Sequence, residues 1–140
     1  MRRRFLMMIS IAMILILSLC LCTSCALLHP KRVVQNAKKA AIRVAVETAF
    51  KQCDGLEDLA IQDDEISFKV DHDTESFDVS AIDVEDVAVS FFDDQAKKSP
   101  ITGVVNLKEG ENVFYLEVAS DNVFVDYVIK VFRKASSLIE

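Results

Sequence analysis

Asn112-Val113-Phe114-Tyr115-Leu116-Glu117-Val118-Ala119, then Ser120-Asp121-Asn122, then Val123-Phe124-Val125-Asp126-Tyr127-Val128-Ile129-Lys130-Val131-Phe132, is the stretch that decides the fold. Phe114, Leu116 and Val118 recur every second residue, and so do Tyr127, Ile129 and Val131. A period of two belongs to a strand with one apolar face. A short polar run between two such segments reads as a hairpin turn. Gly110 supplies the tight turn ahead of the first strand. Asn112 is expected to hydrogen-bond backbone across the hairpin, and Phe114, Leu116 and Val118 to face Tyr127, Ile129 and Val131 across the core. Arg133 closes the second strand, over an aromatic face or beside a carboxylate.

The same period runs upstream. Ile66, Phe68 and Val70 alternate with Ser67 and Lys69; Phe77, Val79 and Ala81 with Asp78 and Ser80; Val87, Val89 and Phe91 with Ala88 and Ser90. Asp71-His72-Asp73 and Asp93-Asp94-Gln95 read as turns, and Ser99-Pro100 opens a further segment, Ile101 to Leu107. Short strands at regular spacing joined by polar turns predict an all-β sandwich.

The pattern Leu107-x-x-Gly110-x-Asn112-x-Phe114-x-Leu116-x-Val118, followed by Tyr127-x-Ile129-x-Val131-x-Arg133, resembles the end of the bacterial cadherin-like β-sandwich domain. The start agrees: Leu56, Leu59 and Ile61 lead to Phe68, then Phe77-x-Val79. The resemblance covers Leu56 to Lys134 and implies an immunoglobulin/cadherin-like sandwich of about seven strands, with Gly110, Asn112, Tyr127 and Arg133 in structural roles. Asp121-Asn122 stands where a Gly is common in that turn; Asn tolerates positive φ, so the turn survives.

Charge divides the chain. Residues 1–53 carry nine Lys/Arg and one acidic residue, Glu47, whereas residues 54–140 carry seven Lys/Arg and twenty-one Asp/Glu. The switch falls at Cys53-Asp54-Gly55 and predicts a domain 54–140. Its acidity argues against nucleic acid as a partner, which requires a basic footprint. Between Pro30 and about Gln52, Val33, Ala37, Ala40, Ala41, Val44, Ala45, Thr48 and Ala49 recur at helical spacing. Pro30 suits the first turn and Gly55 the far end. Residues 25–53 thus form a basic helical spacer. Its cations, Lys31, Arg32, Lys38, Lys39, Arg43 and Lys51, either face solvent or lie against anionic lipid; alternatively, the Ala/Val stripe packs on the following domain.

At the beginning, Arg2, Arg3 and Arg4 precede an apolar run from Phe5 to Leu21, which ends in Cys22-Thr23-Ser24-Cys25. Basic, apolar, then small-plus-cysteine is an export pattern. Its last four residues resemble the lipobox of bacterial lipoproteins, with Cys22 where an aliphatic residue is usual. The resemblance implies removal of residues 1–24 and a lipid (diacylglyceryl, palmitate-class) anchor on Cys25. The alternative is an uncleaved membrane anchor from Phe5 to about Leu28. The cations that follow outnumber the three leading arginines, so the positive-inside rule would then hold the C-terminal part in the cytoplasm.

Chemistry-bearing residues are sparse. His29 and His72 have no partner at ligand or triad spacing, and no Gly-rich phosphate loop or zinc pattern follows the signal. Asp63-Asp64-Glu65, Asp71-x-Asp73 and Asp93-Asp94 offer oxygen ligands, but calcium needs six to eight converging, and solvated turns are expected. Neither metal nor cofactor is expected. Cys53 is a half-buried thiol at a helix end or, alternatively, an intermolecular bridge; the chain has no Trp, which leaves Tyr115 as the obvious outward tyrosine on which a glycan could stack. The expectation is a non-enzymatic, membrane-anchored envelope lipoprotein on the cell or outer membrane. It displays a binding or adhesion module for an envelope protein or a glycan. The alternative is an accessory subunit docked on a membrane protein complex through an uncleaved anchor.

Overall fold

The structure, a computed structural model, describes residues 30–137. The apolar segment read as an export signal, Cys25 and His29 lie outside the described residues. By contact the chain divides into Met1–Ala37 and Lys38–Glu140. The second unit begins inside the helix rather than at the charge switch, and the account below concerns it.

Helix α1 spans Pro30–Lys51. Proline at the first helical position has no N–H to leave unsatisfied. At the other end, the N–H of Gln52 donates to Thr48 O (3.1 Å) and that of Cys53 to Phe50 O (3.2 Å). The buried side chains of α1 are Ile42, Val46 and Phe50, a single stripe at four-residue spacing. Ala45, Ala49 and Cys53 flank it, half-buried. Of the alternatives for this helix, packing on the domain is the one present, but through a different stripe. Val44 is 64 % exposed, because the buried stripe runs through Ile42 and Val46, two positions to either side and about 200° round the helix. No helix among the described residues is long and apolar enough to cross a membrane.

The strands are β1 (Glu57–Gln62), β2 (Glu65–Val70), β3 (Ser76–Asp78), β4 (Ala88–Phe92), β5 (Pro100–Ile101), β6 (Val104–Asn106), β7 (Gly110–Ser120) and β8 (Val123–Arg133). Six form a mixed sheet in the order β1-β2-β8-β7-β4-β5, and β3 pairs with β6 in a second, two-stranded sheet. All pairings are antiparallel except β2–β8, where Ile66 stands beside Ile129 and Phe68 beside Val131. The coarse expectation of a β-rich fold holds, with eight strands among the described residues and a helix that supplies part of the core.

One face of the large sheet is the core face. Ile66, Phe68 and Val70 of β2, Val125, Tyr127, Ile129 and Val131 of β8, Phe114, Leu116 and Val118 of β7, and Phe91 of β4 are all buried on it. Phe50 of α1, Phe68 of β2 and Phe77 of β3 meet there in sequence, with ring centroids 6.2 and 5.7 Å apart. Both the helix and the small sheet therefore cover that face.

Three expectations are corrected. Phe114 pairs with Ile129, Leu116 with Tyr127 and Val118 with Val125, so these residues lie side by side in one sheet, not opposite one another across the core. The strand expected through Val79 and Ala81 ends at Asp78, and Val79–Ala81 is a 3-10 turn. Asp78 caps that turn by accepting from the Ser80 N–H (3.0 Å), which competes with strand pairing. Finally, Ile101–Leu107 is interrupted at Gly103, whose φ is +79°. Before the break the segment pairs with β4; after it, with β3. At the β7–β8 turn, Asp121 (φ 46°) and Asn122 (φ 63°) are both left-handed, as a two-residue hairpin loop whose twist matches its strands requires.

Candidate functional site

Three of the four residues that the sequence pattern singles out, Gly110, Asn112 and Arg133, meet at the root of the β7–β8 hairpin. Gly110 opens β7 opposite Arg133, with φ +85°. Asn112 Oδ1 accepts from Lys108 N–H (2.9 Å), while its Nδ2 donates to Lys108 O (2.8 Å), Gly110 O (3.2 Å) and, across the hairpin, Val131 O (3.3 Å). Arg133 donates from Nε to His72 O (2.8 Å) and from Nη1 to Leu107 O (2.9 Å); Glu75 Oε1 is 3.8 Å from its Nη2. A carboxylate is thus beside Arg133, but its short contacts are to carbonyls. Tyr127 is six residues up the same strand, about 20 Å away at strand rise. It is buried against Leu116, so the four do not form one site. Burial holds the Tyr127 phenol above its ordinary pKa. Cys25 lies outside the described residues.

The acidic turns have partners within the chain. Arg43 of α1 donates to Asp63 O (2.7 Å) and Asp64 Oδ1 (2.6 Å), and Lys38 Nζ lies 3.0 Å from Asp121 Oδ2. Lys134 bridges Asp71 (3.1 Å) and Glu57. Asp94 Oδ1 accepts from the N–H groups of Lys98 and Ser99. His72 Nε2 faces Asp73 Oδ1 at 3.0 Å, both exposed. Among the described residues, no three His, Cys, Asp or Glu side chains converge as metal ligands would. Sequence reasoning missed the pairing of basic helix to acidic domain, although the opposite signs of the two segments were its signal.

On the outer face of the large sheet, Lys97 Nζ bridges Asp126 Oδ1 (2.6 Å) and Glu117. Hydrogen bonds to Asp126 first, then to Glu117, push the ammonium above its usual pKa. Tyr115 shares that face, half-buried between Val128 and Phe92, so its ring is only partly available for stacking. The Cys53 thiol donates to Ala49 O (3.3 Å). Burial, and then Asp54, raise its pKa, which disfavours the reactive thiolate.

Two grooves open beside the small sheet. One, of about 580 Å³, runs from the end of α1 past Cys53, Gly55 and Leu56 to Phe77 and Asp78. The other, of about 400 Å³, lies between β4 and the 3-10 turn, lined by Val79, Ile82, Val87, Val89 and Ile101 with Asp83. Its walls mix these apolar side chains with Ser80, Ser90 and Thr102, and strand backbone forms one side. In comparisons with known proteins, no family model, no curated protein and no solved structure matches the chain.

Proposed function

We propose that the chain is a non-enzymatic envelope lipoprotein, anchored to the membrane through lipid on Cys25, whose immunoglobulin/cadherin-like domain binds an envelope protein or glycan. The order of Arg2-Arg3-Arg4, the apolar run and Thr23-Ser24-Cys25 supports the anchor. The observation that carries the binding role is the arrangement of polar groups in the domain. Part of its acidic surface is engaged in pairs such as Arg43–Asp64 and Lys97–Asp126, while a groove with Val87, Val89 and Ile101 in its lining stands open beside β4. That arrangement supports a binding role, because a reaction centre gathers titratable groups in a cleft.

Intact mass of the membrane-extracted protein tests the anchor. The expected species lacks residues 1–24 and carries a diacylglyceryl group on Cys25; an intact N-terminus with an unmodified Cys25 would overturn it. The alternative, an accessory subunit held by an uncleaved anchor, draws support from Phe124 (54 % exposed) and Phe132 (45 % exposed) on the open face of the large sheet. For that reading, a stoichiometric membrane-protein partner should copurify from envelope membranes.

A further inference from the structure

We propose that the β4 edge beside the smaller groove receives an extended peptide segment, with apolar residues flanked by Lys or Arg, as an added strand paired to Val89; the proposal rests on the binding-module reading and names its site. In the β4–β5 ladder Phe91 stands opposite Ile101 and Phe92 opposite Pro100. Continued by two residues, the register would place Gly103 opposite Val89. Gly103 has turned away: its carbonyl accepts instead from the Val79 N–H at 3.0 Å. The edge of β4 is therefore uncovered from Val89 backwards.

The direction of the backbone groups follows from parity. Asp93 N–H donates to Ser99 O (2.9 Å) on the β5 side. Successive residues of a strand point their N–H and C=O to opposite sides, so Phe91 and Val89 share the direction of Asp93. The N–H and C=O of Val89 point away from β7 into the groove, and no partner for them exists among the described residues. An unpaired edge of this kind is a template for another strand. Pro100, by contrast, occupies a position that makes no ladder bond to β4, so its missing N–H costs nothing there.

The groove selects the occupant. Val87 and Ile101, both half-buried, offer apolar contact to side chains of an added strand, and the buried Val79 and Ile82 complete the lining. The segment leading into β4 carries Asp83, Glu85 and Asp86, and no Lys or Arg occurs between Lys69 and Lys97. Basic flanks are complementary to that field and acidic ones are repelled. A second copy of this chain would bring the same acidic edge to its own, so like charges oppose self-pairing.

The test is a titration of the full-length protein, in detergent micelles, with the end-capped peptide Lys-Val-Lys-Val-Thr-Val-Lys and with its counterpart having Glu for Lys. Saturable binding of the basic peptide is expected, at least about tenfold tighter than the acidic one and weakened by salt. The bound peptide should slow hydrogen exchange at the Val89 amide. Val89→Pro removes an N–H that the β4–β7 ladder does not use, and should weaken binding by at least about tenfold; D83N/E85Q/D86N should weaken it and flatten its salt dependence. Absence of saturable binding, unchanged Val89 exchange in the wild-type complex, equal affinity for both peptides, or association of the protein with itself in place of peptide would each overturn the site. Capture of an envelope partner undiminished by Val89→Pro would overturn this site while leaving the binding-module reading intact.

Discussion

Asn112 satisfies four backbone groups from one side chain at the place where β6 ends and β7 begins. Its amide nitrogen faces the carbonyls of Lys108, Gly110 and Val131. In Asn112→Asp a carboxylate oxygen would meet those carbonyls instead. The folded protein would then favour the protonated acid, raising its pKa above the unfolded value of about 3.9. The variant should match the wild type most closely below that pH and lose stability as pH rises through the folded pKa. By neutral pH the deficit should reach roughly 1–3 kcal/mol, read as the gap in urea unfolding at acid and neutral pH. An equal gap at both would show that the amide donor is dispensable. Arg133 makes a second, separable argument. Its guanidinium joins the loops around His72 and Leu107 through two carbonyls, and the Glu75 contact is longer and largely solvated. A planar fork can serve both carbonyls where an ammonium cannot. Arg133→Lys and Arg133→Met should therefore cost alike, about 1–2 kcal/mol each, and restoration of stability by lysine would mean that charge alone matters.

At the scale of elements, the helix is the part whose role changes most. Phe50 is fully buried and touches Phe68; Phe50→Ala should cost roughly 3–5 kcal/mol in denaturant unfolding. Val44→Ala, on the solvent side of the same helix, should be neutral or slightly stabilising, since alanine is the better helix former. A spacer helix would show no such contrast. The helix itself was legible from its three- and four-residue periodicity and from Pro30 and Gly55. Its buried stripe was not, because alanine-rich sequence offers several overlapping stripes and only tertiary packing selects among them. The long strands β2, β7 and β8 were legible from the alternation of Phe, Val, Leu and Ile. The turn at Asp121-Asn122 was legible from residues that tolerate left-handed backbone. Two features escaped: the parallel docking of β2 on β8, which no local pattern encodes, and the sheet switch at Gly103, which looks like the middle of one strand. The groove depends on that switch, so it too was invisible. Gly103→Ala tests the break by itself. A Cβ there meets nothing within 4 Å, so the cost is that of the backbone conformation, about 1–2 kcal/mol. A stabilised variant would mean that the strand runs straight.

Across the whole molecule, the contrast of basic helix and acidic domain is a charge distribution resolved by folding. Lys38 reaches Asp121 and Arg43 reaches Asp64, so part of the positive excess before the switch is spent on the negative excess after it. These pairs are exposed, and each contributes at most about 1 kcal/mol, less in salt. Their collective consequence is clearer at alkaline pH. Lys97, Lys130 and Lys134 all have raised pKa values, through hydrogen bonds to Asp126 and Glu117, to Glu65, and to Glu57 and Asp71 respectively. Tyr127 is raised by burial. For each of these groups the folded pKa exceeds the unfolded one, so its contribution is fully present below the unfolded value and is lost as pH rises through the folded value. With unfolded values near 10, these groups leave stability unchanged from neutral pH to about pH 9.5 and then lower it steadily, as the ammonium groups and the phenol lose their protons together. Tyr115→Phe leaves Tyr127 as the sole tyrosine, so absorbance near 295 nm would follow that phenol alone. Its ionisation should occur at higher pH in the folded protein than in guanidinium, and alkaline unfolding by circular dichroism should accompany it. A phenol that ionises at the same pH in both states would mean that β8 does not hold Tyr127 in the core.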